Sequence, residues 1–567
     1  MTPDELLNGL DAEQRVAAEA LLGPVCILAG AGTGKTRAIT HRIAYGVATG
    51  AYAPNRVMAL TFTTRAAAEL RGRLRSLGAG GVQARTFHAA ALAQLNHFWP
   101  VVAGGRMPEL APGKARILGH AAQVLKLKLD TATLRDAASE IEFRKVSGLS
   151  IDAYGKAGRP TPGNLRPDQL ADLMAAYETL KDERKLIDFE DVLLVTAGMI
   201  ESEPQVAMQV REQYRFFVVD EYQDVSPLQQ QLLELWLGDR RDVCVVGDAS
   251  QTIYSFAGAS SGFLLGFERR WEDATVVRLE QNYRSQPPIV AAANELMRGR
   301  QGSLVLHSAH ADDEAPAPTP TVTSHPNDPA EAAAVAASVA ASIAAGVAPE
   351  TIAILYRVNV QSGALETALA QAGVPYRIHG AQRFFDQPEV KQAVLALRAA
   401  SVTVSGEPLF KSVSDVLRSL GWSQNPPEAA GAVRDRWESL NALMTLADQA
   451  APGTSFRRFT DELLERQAGQ HEPTVRAVTL ATLHSAKGLE WDEVHIIGLS
   501  EGLVPISYAK TFEQVDEERR LLYVGITRAK RRLRLSWSES GAGRAGARQP
   551  SRFLAELGTR IERAGRA

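Results

Sequence analysis

At 567 residues the chain is too long for one hydrophobic core, so about three to four domains of ordinary size are expected. Hydrophobic content of 45% and charged content of 22% are globular values, and no apolar run reaches the roughly 18 residues of a membrane span, which points away from fibrous, disordered and membrane-spanning classes. A net charge of -3 and a pI near 6.5 lack the basic excess of a chain that coats nucleic acid, so any such track must be a local groove on a balanced surface.

The start, Met1 to Leu10, holds two acids and no basic residue, unlike a secretory signal, and the cytoplasm is the expected compartment. Short apolar runs then alternate with helical stretches: VCILAG, VMALTFT, FFVVDE, DVCVVGD, TVVRLEQ, AILYR, VHIIGL and LRLSW. That rhythm predicts parallel α/β sheets. Cys26 and Cys244 are the only cysteines, and both sit in these runs as small hydrophobes, which argues against disulfides, cysteine-rich zinc sites and iron–sulfur clusters. Residues 93–185 and 396–472 lack such strands and read as helical insertions. The proline- and acid-rich stretch Ala311–Pro329 is expected to be a surface loop rather than an element, and Gly541–Arg548 a second, flexible loop.

Ala29-Gly30-Ala31-Gly32-Thr33-Gly34-Lys35-Thr36 follows the first strand and precedes the helical run TRAITHRIAYGV, the context of a phosphate-binding loop, with Arg37 counted among the nucleotide-binding residues. Glycines let backbone N–H groups converge on phosphate oxygens at a helix N-terminus. Lys35 suits the β and γ phosphates, and Thr36 suits Mg²⁺. A plain glycine-rich turn or a dinucleotide fingerprint leaves the Lys-Thr pair unexplained, so a nucleoside triphosphate is the expected ligand. Further on, FFVVDEYQD ends a strand in Asp220 and Glu221. Two adjacent carboxylates can divide the work of holding Mg²⁺ (Asp220) and activating water (Glu221). Acid pairs at strand ends are common on solvated surfaces, and it is the company of the phosphate loop that gives this one meaning.

Further motifs narrow the class. In order they are LDAEQ, TFTTRAAAEL, RTFH, IDFED, VDEYQD, GDASQTIYSF, LEQNYRS, AILYRVNVQS, VTLATLHSAKGLEWD, EERRLLYVGITRA and PSRFL. Their identity and order resemble the UvrD/Rep/PcrA helicases of superfamily one across nearly the whole chain. The short second insertion and the GDASQTIYSFAGA wording are most similar to the shorter UvrD-like paralogue of actinobacteria.

The resemblance implies two RecA-like parallel-sheet P-loop domains, each with a mostly helical insertion. The first sheet domain would take residues 1–92 and 186–278 around an insertion at 93–185, the second 279–395 and 473–556 around one at 396–472, with a tail at 557–567. It implies an ATP- and Mg²⁺-dependent, 3′-to-5′ single-stranded DNA translocase and helicase of DNA repair or replication. Single-stranded and 3′-tailed duplex DNA are the implied partners, with no membrane, for a monomer associated with the cytoplasmic nucleoid. Gln14 would read the adenine edge, Tyr283 would stack on the ring, and Glu490 would bind near the ribose. Gln251 would sense the γ phosphate, and Arg284 and Arg528 would reach it from the second sheet domain, Arg528 as arginine finger. The site would be completed when the two sheet domains close. A surface salt bridge is the plain alternative for each arginine.

For the DNA, the resemblance makes Phe62, Tyr254 and Phe256 stacking platforms, with Thr63, Thr64, Thr86, His88, Arg357, Asn359 and His484 beside the backbone. Phe62 and Phe87 could instead be core residues at strand ends, and His88 a satisfied buried histidine. Thr64 and Ala257 replace the family's common asparagine and arginine, which weakens the expected grip on DNA, and Gly525 is a milder change. Rival readings are a helicase–nuclease fusion, for which no length remains after PSRFL, an RNA helicase of the neighbouring branch, and a DNA-binding scaffold with a dead ATPase. Because the chain stops about a dozen residues after PSRFL and lacks a cysteine cluster, weak unwinding of long duplexes is expected of it alone.

Overall fold

The computed structural model describes residues 1–129, 131–159, 161–163, 165–310, 317–380, 388–403, 406–425, 432–448, 450–451, 453–469, 476–540 and 547–563. The chain divides into two compact units, Met1–Glu280 with Gln301–Leu304, and Gln281–Arg300 with Val305–Ala567.

The first unit is built on β1 (Val25–Ala29), β2 (Val57–Thr61), β3 (Gln83–Thr86), β4 (Phe216–Val219), β5 (Val243–Gly247) and β6 (Thr275–Leu279). All pair in parallel, in the order β3-β2-β4-β5-β1-β6. Alternate residues feed two cores: Cys26, Met58, Leu60, Phe217 and Val245 go to one face, and Ile27, Ala59, Val218, Cys244 and Val246 to the other. Burial on both faces is why β1, β2, β4 and β5 read as unbroken apolar runs. The edge strand β3, sequence QART, escapes that signal because it pairs on one side only, Leu60 opposite Arg85. Both cysteines are free and buried, and burial pushes the Cys26 thiol up to about 12, as befits an inert hydrophobe. Between β3 and β4, helices Lys114–Val124, Thr131–Val146 and Pro167–Glu183 enclose their own core of Leu118, Ile141, Leu173, Met174 and Tyr177.

The second unit carries β7 (Thr321–His325), β8 (Ile352–Tyr356), β9 (Tyr376–Ile378), β10 (Val478–Thr482), β11 (Trp491–Ile496), β12 (Ala529–Ser538) and β13 (Glu562–Arg563). Their order is β9-β10-β8-β11-β12-β7-β13, again parallel throughout. Helices Pro388–Thr403, Leu409–Ser419, Ala432–Asp448 and Phe456–Gly469 form a separate apolar cluster around Leu397, Leu417, Leu443 and Phe459. Two RecA-like parallel sheets with helical insertions, the fold class read from the sequence, are what the structure shows. No helix among the described residues is long and apolar enough to cross a membrane.

The expectation of a loop over Ala311–Pro329 is corrected. Residues 311–316 lie outside the described residues, but Thr321–His325 is β7, paired with β12 through Val322 opposite Leu535. Pro329 sits in the first turn of helix Asp328–Ala344, where its missing N–H costs nothing. Of the second expected loop, residues 541–546 also lie outside, whereas Arg548 is anchored to Asp328, its Nη2 donating to Oδ2 at 3.3 Å.

Candidate functional site

In the first unit the chain leaves β1 at Ala29 and turns through Gly30 to Gly34 into helix Lys35–Ala48. Gly32 and Gly34 have φ of +72° and +79°, a region that side chains resist. A Cβ on Gly34 would also stand 2.7 Å from Gln14 Nε2. Gln14 is buried and donates to the Thr33 carbonyl (3.0 Å), while Thr33 Oγ1 donates to the Gly30 carbonyl (2.9 Å), so the loop is braced by its own backbone. Gly34 caps the helix without a side chain, which leaves the first-turn N–H groups available to an anion. Thr36 is half-buried in that turn, and Arg37 is exposed, its Nη2 bonded to the Gly9 carbonyl at 2.8 Å.

β4 ends beside this loop. The Asp220 N–H is still bonded to Leu60 of β2 (2.8 Å), and Asp220 Oδ1 accepts the Glu221 N–H (2.9 Å). Glu221 has φ 54° and ψ 40°, left-handed backbone that a non-glycine residue rarely adopts and that clusters at functional sites. Its Oε1 lies 3.5 Å from Lys35 Nζ. Its Oε2 accepts from Gln223, whose Oε1 takes the Asp248 N–H (3.0 Å), and Asp248 Oδ2 in turn accepts Gln251 Nε2 (2.8 Å). Lys35, Glu221 and Gln251 thus share one buried polar chain. Gln223 and Asp248 are its unforeseen links, visible beforehand only as the remaining polar letters of VDEYQD and GDASQ. Burial pushes the Asp248 carboxyl up, opposed by the nearby Lys35 charge and the Gln251 bond.

Mg²⁺ prefers one or two carboxylates and a hydroxyl alongside phosphate oxygens over a cage made wholly of protein. The Thr36 hydroxyl and Asp220 carboxylate, on elements brought together by the Lys35–Glu221 contact, fit that donor set.

In the second unit Tyr283 is 44% exposed, and its carbonyl contacts His310 Nε2 at 3.1 Å. Arg284 Nε donates to Glu490 (2.7 Å) and Nη1 to the Thr527 carbonyl (3.1 Å). Burial raises the Glu490 carboxyl, but Arg284 and Lys530 outweigh it and hold the group below its ordinary range. Arg528 is buried and folded onto its own unit: Nε meets the Val524 carbonyl (2.9 Å), Nη1 that of Leu489 (3.2 Å) and Nη2 the Thr527 hydroxyl (3.0 Å).

Of the residues expected to contact DNA in the first unit, three aromatics meet one another. Phe62, 47% exposed, stacks on Tyr254 with centroids 5.7 Å apart and planes 11° from parallel, and Tyr254 meets Phe256, 58% exposed, at 6.2 Å. Phe62 is therefore a surface ring, whereas Phe87 is core, 5.8 Å from Trp236. Thr63 and Thr86 each cap a helix, accepting from Ala66 and Ala89 at 3.1 Å, and Thr64 is exposed in the first of these helices. His88 lies against the edge of Phe189, centroids 5.9 Å apart, and burial with the Lys114 charge lowers its pKa to about 4. Phe189 is 54% exposed beside His88; the sequence offered it only as a letter of the IDFED motif, with no role attached. In the second unit His484 is likewise lowered to about 4, by burial and then by Arg357 and Lys487. Arg357 is held by Glu518, and Asn359 is exposed at the start of a short 3-10 turn.

A phosphate loop, an acid pair that meets it and an exposed aromatic cluster within one parallel sheet unit define a P-loop motor. The UvrD/REP helicase N-terminal domain matches residues 10–272, and the UvrD-like helicase C-terminal domain matches residues 277–425 and 407–540. Among curated relatives, the ATP-dependent DNA helicase UvrD2 of Mycobacterium tuberculosis is 48% identical over 97% of this chain and 82% of its own length. DNA helicase II of Escherichia coli is 30% identical over 97% of this chain and 88% of its own, and PcrA of Bacillus subtilis 28% over 98% and 86%. The chain belongs to the UvrD/REP family of ATP-dependent DNA helicases.

Proposed function

We propose that the protein is an ATP-driven motor that travels 3′ to 5′ along single-stranded DNA and opens 3′-tailed duplexes during DNA repair or replication. The observation that carries the reading is the 3.5 Å approach of Lys35 Nζ to Glu221 Oε1, which brings the phosphate loop and the acid pair into one site. In this reading the backbone N–H groups at the start of helix Lys35–Ala48 and the Lys35 ammonium hold the triphosphate, and Gln14 braces the loop and reads the base edge. Tyr283 stacks on the adenine, and Glu490 lies near the ribose. Thr36 and Asp220 hold Mg²⁺, which neutralises phosphate charge when bound. Glu221 orients and deprotonates the attacking water, and Gln251, linked to it through Asp248 and Gln223, reports the γ phosphate to Tyr254. Arg284 and Arg528 supply the charge that a transferring phosphoryl group needs.

Phe62, Tyr254 and Phe256 offer π faces to bases, an interaction indifferent to sequence. Phe189 beside His88 extends that surface, and Arg357, Asn359 and His484 are the corresponding contacts of the second unit. The test is ATP turnover with single-stranded DNA, duplex DNA and RNA side by side: strong stimulation by single-stranded DNA is expected. Equal stimulation by RNA would move the protein to the neighbouring branch, and no turnover at all would leave a scaffold.

A further inference from the structure

Helix Phe512–Ile526 of the second unit runs directly into Thr527 and Arg528 and bears Glu518 near its middle. Glu518 is only 6% exposed. Its carboxylate accepts from Arg357 Nε (3.0 and 3.2 Å) and Nη2 (2.8 Å), and Oε2 also takes the backbone N–H of Ile506 (3.1 Å). Tyr508, two residues further on and 67% exposed, has its hydroxyl 3.5 Å from Arg357 Nη2. One carboxylate therefore fixes a guanidinium and a surface loop to the helix. Planar two-pronged pairing sets direction as well as distance. It engages the Nε/Nη2 edge of the guanidinium.

The far end of the same helix is tied to the nucleotide residues. Arg528 Nε is bonded to Val524 in its last turn, and Arg284 Nη1 to the Thr527 carbonyl just beyond it. Eight residues of helix separate Glu518 from Ile526, the last helical residue before Thr527 and Arg528, a rise of about 12 Å at 1.5 Å per residue. A hydrogen-bonded helix of that length moves as a rod, so displacement at Glu518 reappears at Arg528.

We propose that Glu518 is the positioning residue that couples strand contact to nucleotide turnover: a shift of Arg357 against a DNA phosphate passes through the Glu518 carboxylate into this helix and along it to Arg284 and Arg528. The inference rests on the DNA-contact reading of Arg357. Its test measures ATP turnover of the full chain with and without saturating oligo-dT, single-strand affinity and thermal melting, for Glu518→Gln, Arg357→Lys, Arg357→Ala and the double variant Arg357→Lys/Glu518→Gln.

Glu518→Gln should lower the ratio of stimulated to basal turnover by about tenfold even at saturating DNA, a deficit that weaker binding alone cannot produce. Arg357→Lys keeps a positive charge but cannot fork onto Glu518, so it should show the same uncoupling, and the double variant should be no worse than the worse single. Arg357→Lys decides the question if Glu518→Gln melts early. Full stimulation in a folded Glu518→Gln, or additive losses in the double variant, overturns the coupling while leaving Arg357 on the track. Unchanged single-strand affinity in Arg357→Ala removes Arg357 from the track and the coupling with it.

Discussion

Glu221 occupies left-handed backbone, and that strain aims its carboxylate at Lys35. Replacing it by glutamine keeps the shape and the Gln223 contact but removes the basic oxygen. Glu221→Gln should bind ATP normally and lose about 10²–10⁴-fold in DNA-stimulated turnover, read by nucleotide binding and phosphate release in parallel. Retained fast turnover would assign the water to another group. The aromatic cluster makes a different kind of prediction. Phe256 and Tyr254 carry no charge, so Phe256→Ala or Tyr254→Ala should cost about 1–3 kcal/mol of single-strand affinity with little change in its salt slope. Unchanged affinity in a folded variant would make them packing residues. The two track histidines give a pH effect. With folded pKa values near 4 against about 6.5 unfolded, both are neutral in the two states at pH 7 and contribute nothing there. As pH falls from 6.5 to 4 the unfolded chain takes up these protons first, so stability is lost across that window, by up to about 3 kcal/mol for each histidine. Urea midpoints from pH 7 to 4 should fall more steeply for the wild type than for His88→Gln/His484→Gln. Parallel curves would contradict the assignment.

Helix Phe189–Ser202 shows how an element is aimed. Asp188 caps its first turn, accepting the Asp191 N–H at 2.9 Å. The same carboxylate takes Lys145 Nζ (2.7 Å) and the Tyr177 hydroxyl (2.9 Å), and Lys145 also reaches Asp191 (2.8 Å). Lys145 and Lys181 hold the Asp188 carboxyl far below its ordinary range in spite of burial, which pushes it up. Helices on both sides of the helical core are thereby locked to the start of the helix that presents Phe189 to His88. Removing one cation would strand buried carboxylates, and Lys145→Ala should lower the stability of the first unit by about 3–5 kcal/mol in denaturant unfolding. A loss under about 1 kcal/mol would mean that water compensates there. Gly525 has an equally local reason: a Cβ on it would stand 2.5 Å from Leu483 Cδ2 and 3.0 Å from Ile496 Cδ1, so the helix can lie this close to β11 only without a side chain.

At the scale of the molecule the proposed direction is the most exposed claim. A motor that walks 3′ to 5′ reaches a dye on the 5′ end of oligo-dT after a lag that grows with length, and gives no such lag with a 3′ dye. The reverse pattern would overturn the direction. Much of this protein was legible in its sequence. Strands set between neighbours are largely apolar, which made eight of the thirteen described strands of the two large sheets visible as runs. A phosphate loop needs its glycines and its Lys-Thr pair within a few residues, so local spacing marked Lys35 and Thr36 as candidates, and the strand end marked the Asp220–Glu221 pair. The edge strand β3 and the half-buried β7, flanked on one side only by the two-residue β13, stayed hidden, because half-buried polar strands take their identity from the neighbour they pair with. The same holds for side chains whose role is set by what folding brings beside them. Phe62 and Phe87 end consecutive strand–helix turns with similar letters, yet one is a surface ring and the other core. Arg357 and Glu518, 161 residues apart, meet only in the folded unit. Chemistry within a few residues is written in the chain itself, whereas exposure and long-range partnership are properties of packing and were decided by the tertiary structure.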